Sequence, residues 1–445
     1  MKIVFVNKFD IRGGAAKICC DLFINLFLQN YDVNYYVENK ESTHLNIFEI
    51  PKISGNQSRI FATGYSLLTK LRPYDGRIRG IHRLRNILNN SLNHKNLIDK
   101  KNGFEVFNFP GSRTIFNDLS NTDIVHLHNL HIDYFDLTQL PELSNRVPTL
   151  ITAHDAWLIT GHCAYPINCP KWKTGCGNCP DLTLYPSIQK DSSSANWNTK
   201  KDIFQESKLY LATPSIWLMD IFKNSIAWKA VQKAKVINNG IDQKIFTKSN
   251  KLRVRRELNL PLDKKIILFA GHSIKNNPYK DYSTIKNAIK LISTNYSKND
   301  LLFISLGNDV ENKKDMSPEI LEIPFLFDQN EVAKYYQAAD LFIHTANADT
   351  FPNVIIEALS CGTPVIATHI GGIPEQITDC FNGYLIPGSD ANSLAEKILS
   401  IIGDSDNLLK LSHNAYLQAK NTYSLEHMCE EYVSFYNEIQ ENFNS

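Results

Sequence analysis

The sequence predicts an α/β protein of two Rossmann-like, doubly wound domains, and three observations predict it. Short apolar runs alternate with helical patterns along the chain, the order that gives parallel sheets with crossover helices. The alternation restarts at Lys265–Ala270 with a strand of the same character as the opening run Lys2–Val6. The chain has 445 residues, and single hydrophobic cores stop growing at roughly 250–300 residues.

The elements follow in order. Lys2–Val6 is a strand, Asn7–Gly14 a loop, and Ala15 to Asn30 a helix. Asp32–Val37, Asp123–His128, Thr149–Ala153, Leu209–Thr213 and Lys235–Ile237 are the remaining strands of the first half. The second half continues from Lys265–Ala270 through Leu301–Leu306, Ile323–Phe327, Leu341–His344 and Pro364–Ala367. Helices near Asp281–Ser293 and Asn330–Ala338 separate these strands, and an amphipathic helix closes the chain at about Leu425–Phe443. The expected division is residues 1–240, 241–424 and a terminal helix over 425–445, with the joint around Asn238-Asn-Gly-Ile-Asp242. Ligands bind such sheets at the carboxyl ends of the strands, so the expected site lies between two facing domains.

Composition narrows the function. Hydrophobic residues make up 43% and charged residues 21% of the chain, as in an ordinary globular enzyme. A net charge of +1 gives no global field for nucleic acid. No run of 18 apolar residues predicts a membrane span, and the apolar run in Met1-Lys-Ile-Val-Phe-Val-Asn7 is too short for a signal peptide. The cytoplasm is the expected address, where disulfides are rare.

The densest chemistry lies in Asp349-Thr-Phe-Pro-Asn-Val-Ile-Ile-Glu357. Phe351-Pro352-Asn353 ends a loop, and the apolar run from Val354 opens a helix that stops at Cys361-Gly362. A helix start offers N–H groups to an anion, and a carboxylate nearby accepts hydrogen bonds from hydroxyls. Together they suit a nucleotide sugar. The pattern resembles the Glu-x7-Glu signature of retaining GT-B glycosyltransferases of family 4, with Asp349 in the place of the first Glu. The resemblance implies that Asp349 contacts the donor sugar, that Glu357 holds the ribose, and that Phe351, Pro352, Asn353 and Val354 line the donor. It also implies a C-terminal helix that crosses back to the first domain.

Four further elements stand in the family's order. Gly13-Gly14-Ala-Ala resembles the loop whose glycines approach the diphosphate. Asn238-Asn-Gly-Ile-Asp242 resembles an interdomain element, and Gly371-Gly-Ile-Pro-Glu375 a loop on the rim of the site. In Ala270-Gly271-His272-Ser273…Tyr279-Lys280-Asp281, Lys280 matches the family lysine. His272 stands where the family has Arg, and Asp281 where it has Gly. A neutral imidazole lacks the permanent fork of Arg, and Lys275 is the alternative cation. His154, in Thr-Ala-His154-Asp155-Ala-Trp157, resembles the family histidine beside sugar and acceptor. His126 and His131 read as structural.

The implied reaction breaks the bond between an anomeric carbon and a nucleotide diphosphate. Lys280, the Gly14 N–H and the helix start near Asn353 would stabilise the leaving group, with Asp349, His154 and Lys280 as the catalytic set. No Asp-x-Asp sits at a strand end, so no catalytic metal is expected. The expected enzyme is a hexosyltransferase that moves a UDP- or GDP-linked sugar to a glycan or lipid-linked glycan, with surface polysaccharide biosynthesis as the expected context. A nucleotide-sugar 2-epimerase of the same fold and a non-catalytic nucleotide-sugar-binding scaffold are the alternatives.

Two features lie outside this scheme. Cys163, Cys169, Cys176 and Cys179 fall within seventeen residues and close on a Cys-Gly-Asn-Cys knuckle. That spacing suits a structural Zn, with free thiols or disulfides as the alternatives. The other cysteines, Cys19, Cys20, Cys361, Cys380 and Cys429, read as packing residues. Residues 58–101 hold ten Lys/Arg against Asp75 and Asp99, a local charge of +8. Ile78, Ile81, Leu84, Ile87, Leu88 and Leu92 recur there at helical spacing. Such a helix either lies on an anionic membrane, the inner face of the plasma membrane here, or packs on the first domain with a solvated basic face.

Overall fold

The computed structural model describes all residues except 52–93, 108, 118, 120, 132, 272, 273, 276, 296–299 and 308–319. Most of the basic segment, and the membrane-binding helix expected in it, lies outside the described residues. No described helix is long and apolar enough to cross a membrane.

The chain forms two compact units. The first comprises Met1–Thr213, Met219–Lys235 and Ser434–Ser445, and the second Pro214–Leu218 and Val236–Val433. The first unit holds β1 (Lys2–Phe9), β2 (Asp32–Asn39), β3 (Ile47–Glu49), β4 (Ile124–His128), β5 (Thr149–Thr152), β6 (Leu209–Thr213) and β7 (Val231–Val236). They lie in the order β3-β2-β1-β4-β5-β6-β7. The second unit holds β8 (Lys265–Ala270), β9 (Leu301–Leu306), β10 (Ile320–Ile323), β11 (Leu341–His344), β12 (Val365–Thr368) and β13 (Gly383–Ile386). Their order is β10-β9-β8-β11-β12-β13, with every adjacent pair parallel. Both sheets run outward in both directions from a central pair, the doubly wound Rossmann order. Each therefore has a switch point, between β1 and β4 in one and between β8 and β11 in the other.

Burial explains why these runs are so apolar. In β8, Ile266, Leu268 and Ala270 pack into one core, while Ile267 and Phe269 pack into another on the opposite face. A parallel strand covered on both faces has no polar side to show. The C-terminal helix Leu425–Asn444 enters from the second unit, where Gly240 N–H meets Met428 Sδ at 3.1 Å. Its last turns belong to the first unit, where Phe435, Tyr436 and Ile439 are fully buried.

Two strands differ from their expected places: β7 is Val231–Val236 where Lys235–Ile237 was expected, and β10 is displaced as well. Ile323–Phe327 reads as a strand, but β10 is Ile320–Ile323. Pro324 has no N–H for the ladder, so pairing stops before it.

Candidate active site

The second unit brings Lys280 and Asp349 together at its switch point. Lys280 follows β8, and Asp349 follows β11. The two connections are zipped together: Asp281 N–H donates to Thr345 O at 3.2 Å and Asn347 N–H to Tyr279 O at 2.9 Å. The Thr345 hydroxyl donates to Asp281 O at 2.7 Å. This places Lys280 Nζ 2.6 Å from Asp349 Oδ2, with both side chains largely buried. His344 ends β11, and its Nε2 lies 3.5 Å from the same oxygen. Burial alone would push the Asp349 carboxyl up, but Lys280 and His344 outweigh it and hold it well below the usual carboxylate range. His344 itself is pushed below the usual imidazole range by burial and by Lys280. Asp349 is therefore an anion at neutral pH, and His344 a neutral ring. Sequence reading passed over His344; its place at the carboxyl end of a central strand was the available signal.

Backbone close to Asp349 explains the Gly-Gly pair. Gly371 has φ +58, and a Cβ there would stand 1.9 Å from Asp349 O. A Cβ at Gly372 would stand 1.8 Å from Thr350 O. The loop expected on the rim thus presses on the backbone that carries the acid. Glu375 accepts from Ile216 N–H at 2.7 Å and Trp217 N–H at 2.8 Å, so its role here is to cap a helix start.

The helix Asn353–Ser360 begins without a side-chain cap or an acid in its first turn, which suits an anion there. Phe351 is buried against the Tyr423 ring, centroids 5.9 Å apart, and Pro352 is the N-cap residue. Asn239, from the Asn-Asn-Gly-Ile-Asp element, donates to Asn353 Oδ1 at 2.9 Å. That element therefore positions the helix start. The helix stops because Cys361 caps it and Gly362 follows at φ +73, the left-handed residue that ends many helices. One and a half turns in, Glu357 accepts a 2.8 Å hydrogen bond at Oε2 from the buried Tyr336 hydroxyl. Tyr336 was not legible as a partner, because it reads simply as an apolar position of the helix Gln329–Ala338.

The departures from the family pattern have different outcomes. Asp281 precedes the helix Tyr282–Asn295 and accepts from Thr284 N–H at 3.1 Å, so it acts as an N-cap. Lys275 is held by Glu322 at 2.6 Å, which leaves it no longer a spare cation. His272 lies outside the described residues.

The first unit presents its own switch point. Gly13 follows β1 with φ +92, and a Cβ there would meet nothing within 4 Å. The helix Gly14–Leu28 then starts with no side-chain cap. Asp10 anchors the loop by accepting from the N–H groups of Glu41 and Ser42. Beyond β5, His154 Nε2 meets His128 Nδ1 at 3.0 Å. Burial lowers the His154 pKa to about 4, so the ring is neutral at physiological pH. Asp155 pairs with His131 Nε2 at 3.1 Å and accepts from Trp157 N–H at 2.8 Å. His126 is fully buried between Thr152 Oγ1 at 2.7 Å and Tyr436 Oη at 2.8 Å, a structural position. Trp157 Nε1–H donates to Glu105 Oε1 at 2.6 Å, and the fully buried Lys200 pairs with Glu105 Oε2 at 2.7 Å.

The cysteine loop follows directly. Cys163, Cys169, Cys176 and Cys179 line one small cavity of about 20 Å³ together with His162, and none of the nine cysteines is in a disulfide. Burial pushes the Cys163 thiol up to about 12 and that of Cys176 to about 11. No three His, Cys, Asp or Glu side chains among the described residues already stand as a metal-holding group. Of the other five cysteines, Cys380 departs from the packing role: it is exposed, at φ +61 in a turn.

Comparison with known proteins places this geometry. Residues 250–418 match the family described as "Glycosyl transferases group 1". A protein of Escherichia coli (strain K12), provisionally named the colanic acid biosynthesis glycosyl transferase WcaC, is 25% identical over 76% of this chain and 83% of its own length. Among solved structures, sucrose-phosphate synthase of Thermosynechococcus elongatus superposes with a TM-score of 0.64 at 16% identity, covering 98% of both chains. Anabaena Alr3699/HepE, solved in complex with UDP, gives 0.63 at 15% identity over 98% of this chain and all of that one. The fold is that of the GT-B glycosyltransferases, two Rossmann-like domains.

Proposed function

We propose that this chain, whose residues 250–418 form a domain of the group 1 glycosyltransferases, moves a hexose from a nucleoside diphosphate to a glycan acceptor with retention of anomeric configuration. The observation that carries the reading is an anionic Asp349 paired with Lys280 at 2.6 Å, in the loop that leads into the helix Asn353–Ser360, which carries Glu357. In the proposed reaction Asp349 accepts hydrogen bonds from sugar hydroxyls, and Glu357 from the ribose. As the bond to the anomeric carbon breaks, negative charge grows on the diphosphate. Lys280 then turns from the carboxylate to the phosphate, and the helix start at Asn353 adds its dipole. Gly13 and Gly14 give a second helix start suited to phosphate.

UDP is the first nucleotide to test, because the Anabaena protein was solved with UDP and with UDP-glucose. The relation to WcaC supports a polysaccharide acceptor, and a lipid-linked glycan at the membrane surface fits the same setting. The test is to incubate the chain with UDP- or GDP-hexoses and an acceptor extract, then read the anomeric signal of the new glycosidic linkage by NMR. An α-linked product from an α-linked donor is expected. An inverted product, or an epimerised donor without acceptor, would overturn the proposal.

A further inference from the structure

We propose that the loop after β5 holds one zinc ion through His162 Nε2 and thiolates of the cysteine cluster, Cys176 and Cys179 among them. The imidazole carries the argument. Its Nδ1 lies 2.9 Å from Pro186 O. A carbonyl only accepts, so Nδ1 carries the proton and Nε2 presents a lone pair. Metal-binding histidines are oriented in this way, with the second nitrogen donating to a backbone carbonyl. Nε2 points at Cys179 Sγ, 3.3 Å away. Bonds of about 2.3 Å to sulfur and about 2.0–2.1 Å to nitrogen, at tetrahedral angles, put two zinc ligands about 3.5 Å apart. The pair is therefore already spaced as two ligands of one ion.

The remaining donors are at hand. Cys163, Cys169 and Cys176 line the same cavity as His162 and Cys179. Gly161 N–H donates to Cys176 Sγ at 3.3 Å, which fixes that sulfur at the rim of the cavity. Glycines flank Cys176 on both sides, Gly175 at φ +142 and Gly177 at φ +138, conformations that other residues rarely adopt. Since no three donors yet form a metal-holding group among the described residues, the ion must draw further sulfurs inward across the cavity. The donor set, three sulfurs with one nitrogen, selects zinc over magnesium or calcium. The loop has few apolar residues of its own, so the ion would supply cohesion that the core cannot. Lys200 Nζ ties its base, bonding Trp157 O at 2.8 Å and Thr160 O at 3.0 Å, next to the strand end that carries His154.

The test uses the full chain, purified reduced, without chelator and without a metal-affinity step. Elemental analysis should find about one zinc per chain. Thiol modification should release it in step with the loss of free cysteines. Cobalt substituted for zinc should give the intense visible bands of tetrahedral thiolate coordination. Competition with a chelating dye should show at least ~10-fold weaker zinc retention in His162→Ala and Cys179→Ser, and wild-type retention in Cys380→Ser. If those variants fail to fold, the cobalt spectrum of wild type still decides. A chain without metal, a chain with iron in its place, or disulfides among these cysteines by intact mass would each overturn the proposal.

Discussion

Lys280 and Asp349 pair at 2.6 Å, and the lysine is the main reason that Asp349 stays charged in a largely buried place. Removing the lysine leaves a buried carboxylate without its partner. Lys280→Ala should therefore destabilise the chain by about 1–3 kcal/mol and reduce turnover by about 10²–10³-fold, read by thermal denaturation and by nucleotide release. If Lys280→Ala turns over like wild type, its place in the reaction is lost. Tyr336 tests a subtler point. Its hydroxyl donates to Glu357 Oε2 and so orients that carboxylate. Tyr336→Phe should raise the KM for donor about 5–10-fold, near the ~1.5 kcal/mol of a hydrogen bond to a charged group, with little change in kcat. An equal fall in kcat and unchanged KM would assign Tyr336 another role. The contrast also shows what sequence conveys at this scale. The placement of Asp349 before a helix and of Glu357 within it was legible, because spacing along one loop and helix fixes both. Tyr336 and His344 were not, because their meaning arises from contacts between elements distant in sequence.

At the scale of elements, the glycine pair is the sharpest case. A β-carbon at Gly371 would occupy the space of Asp349 O, on a backbone at φ +58. Gly371→Ala should destabilise by about 3 kcal/mol or more through overpacking and strain, and should weaken donor binding as Asp349 shifts. Asp281→Ala is the milder comparison, the loss of a cap worth about 1 kcal/mol. Thermal denaturation of both variants checks the ranking, and equal effects would contradict it. Strands buried on both faces, such as β8, β9 and β11, were legible to the residue because they are short apolar runs with clear stops. β10 slipped toward the apolar residues after Pro324, since hydrophobicity does not register a missing N–H. β13, Gly383–Ile386, went unread because four residues opening on a glycine carry little pattern. The cap role of Asp281 was hidden by its reading as a lost glycine.

Over the whole molecule, two Rossmann units were legible from alternation and length alone, and the family match over residues 250–418 agrees with the acid pair that suggested it. The first unit was harder, because its histidines draw meaning from the tertiary setting. Burial lowers the pKa of His126, His128, His154 and His344. Each binds its proton more readily unfolded, near ~6.5, than folded. Their contribution to stability is thus full above the unfolded value and is lost as pH falls toward the folded one, about 4 for His154. Melting temperature should fall steadily from pH 7 to pH 5. His154→Gln should make that fall shallower, by about 2 kcal/mol across the window, and an unchanged slope would contradict the buried neutral ring.

The central claim is a nucleotide-sugar donor site in the second unit, built on Asp349, Glu357 and Lys280. Calorimetric titration of UDP, GDP and their hexose conjugates into wild type and Glu357→Gln tests it most directly. The account predicts that one nucleotide family binds, and that Glu357→Gln weakens it at least ~10-fold, the worth of about 1.4 kcal/mol. Absence of binding by every nucleotide, or equal binding by both proteins, would contradict it.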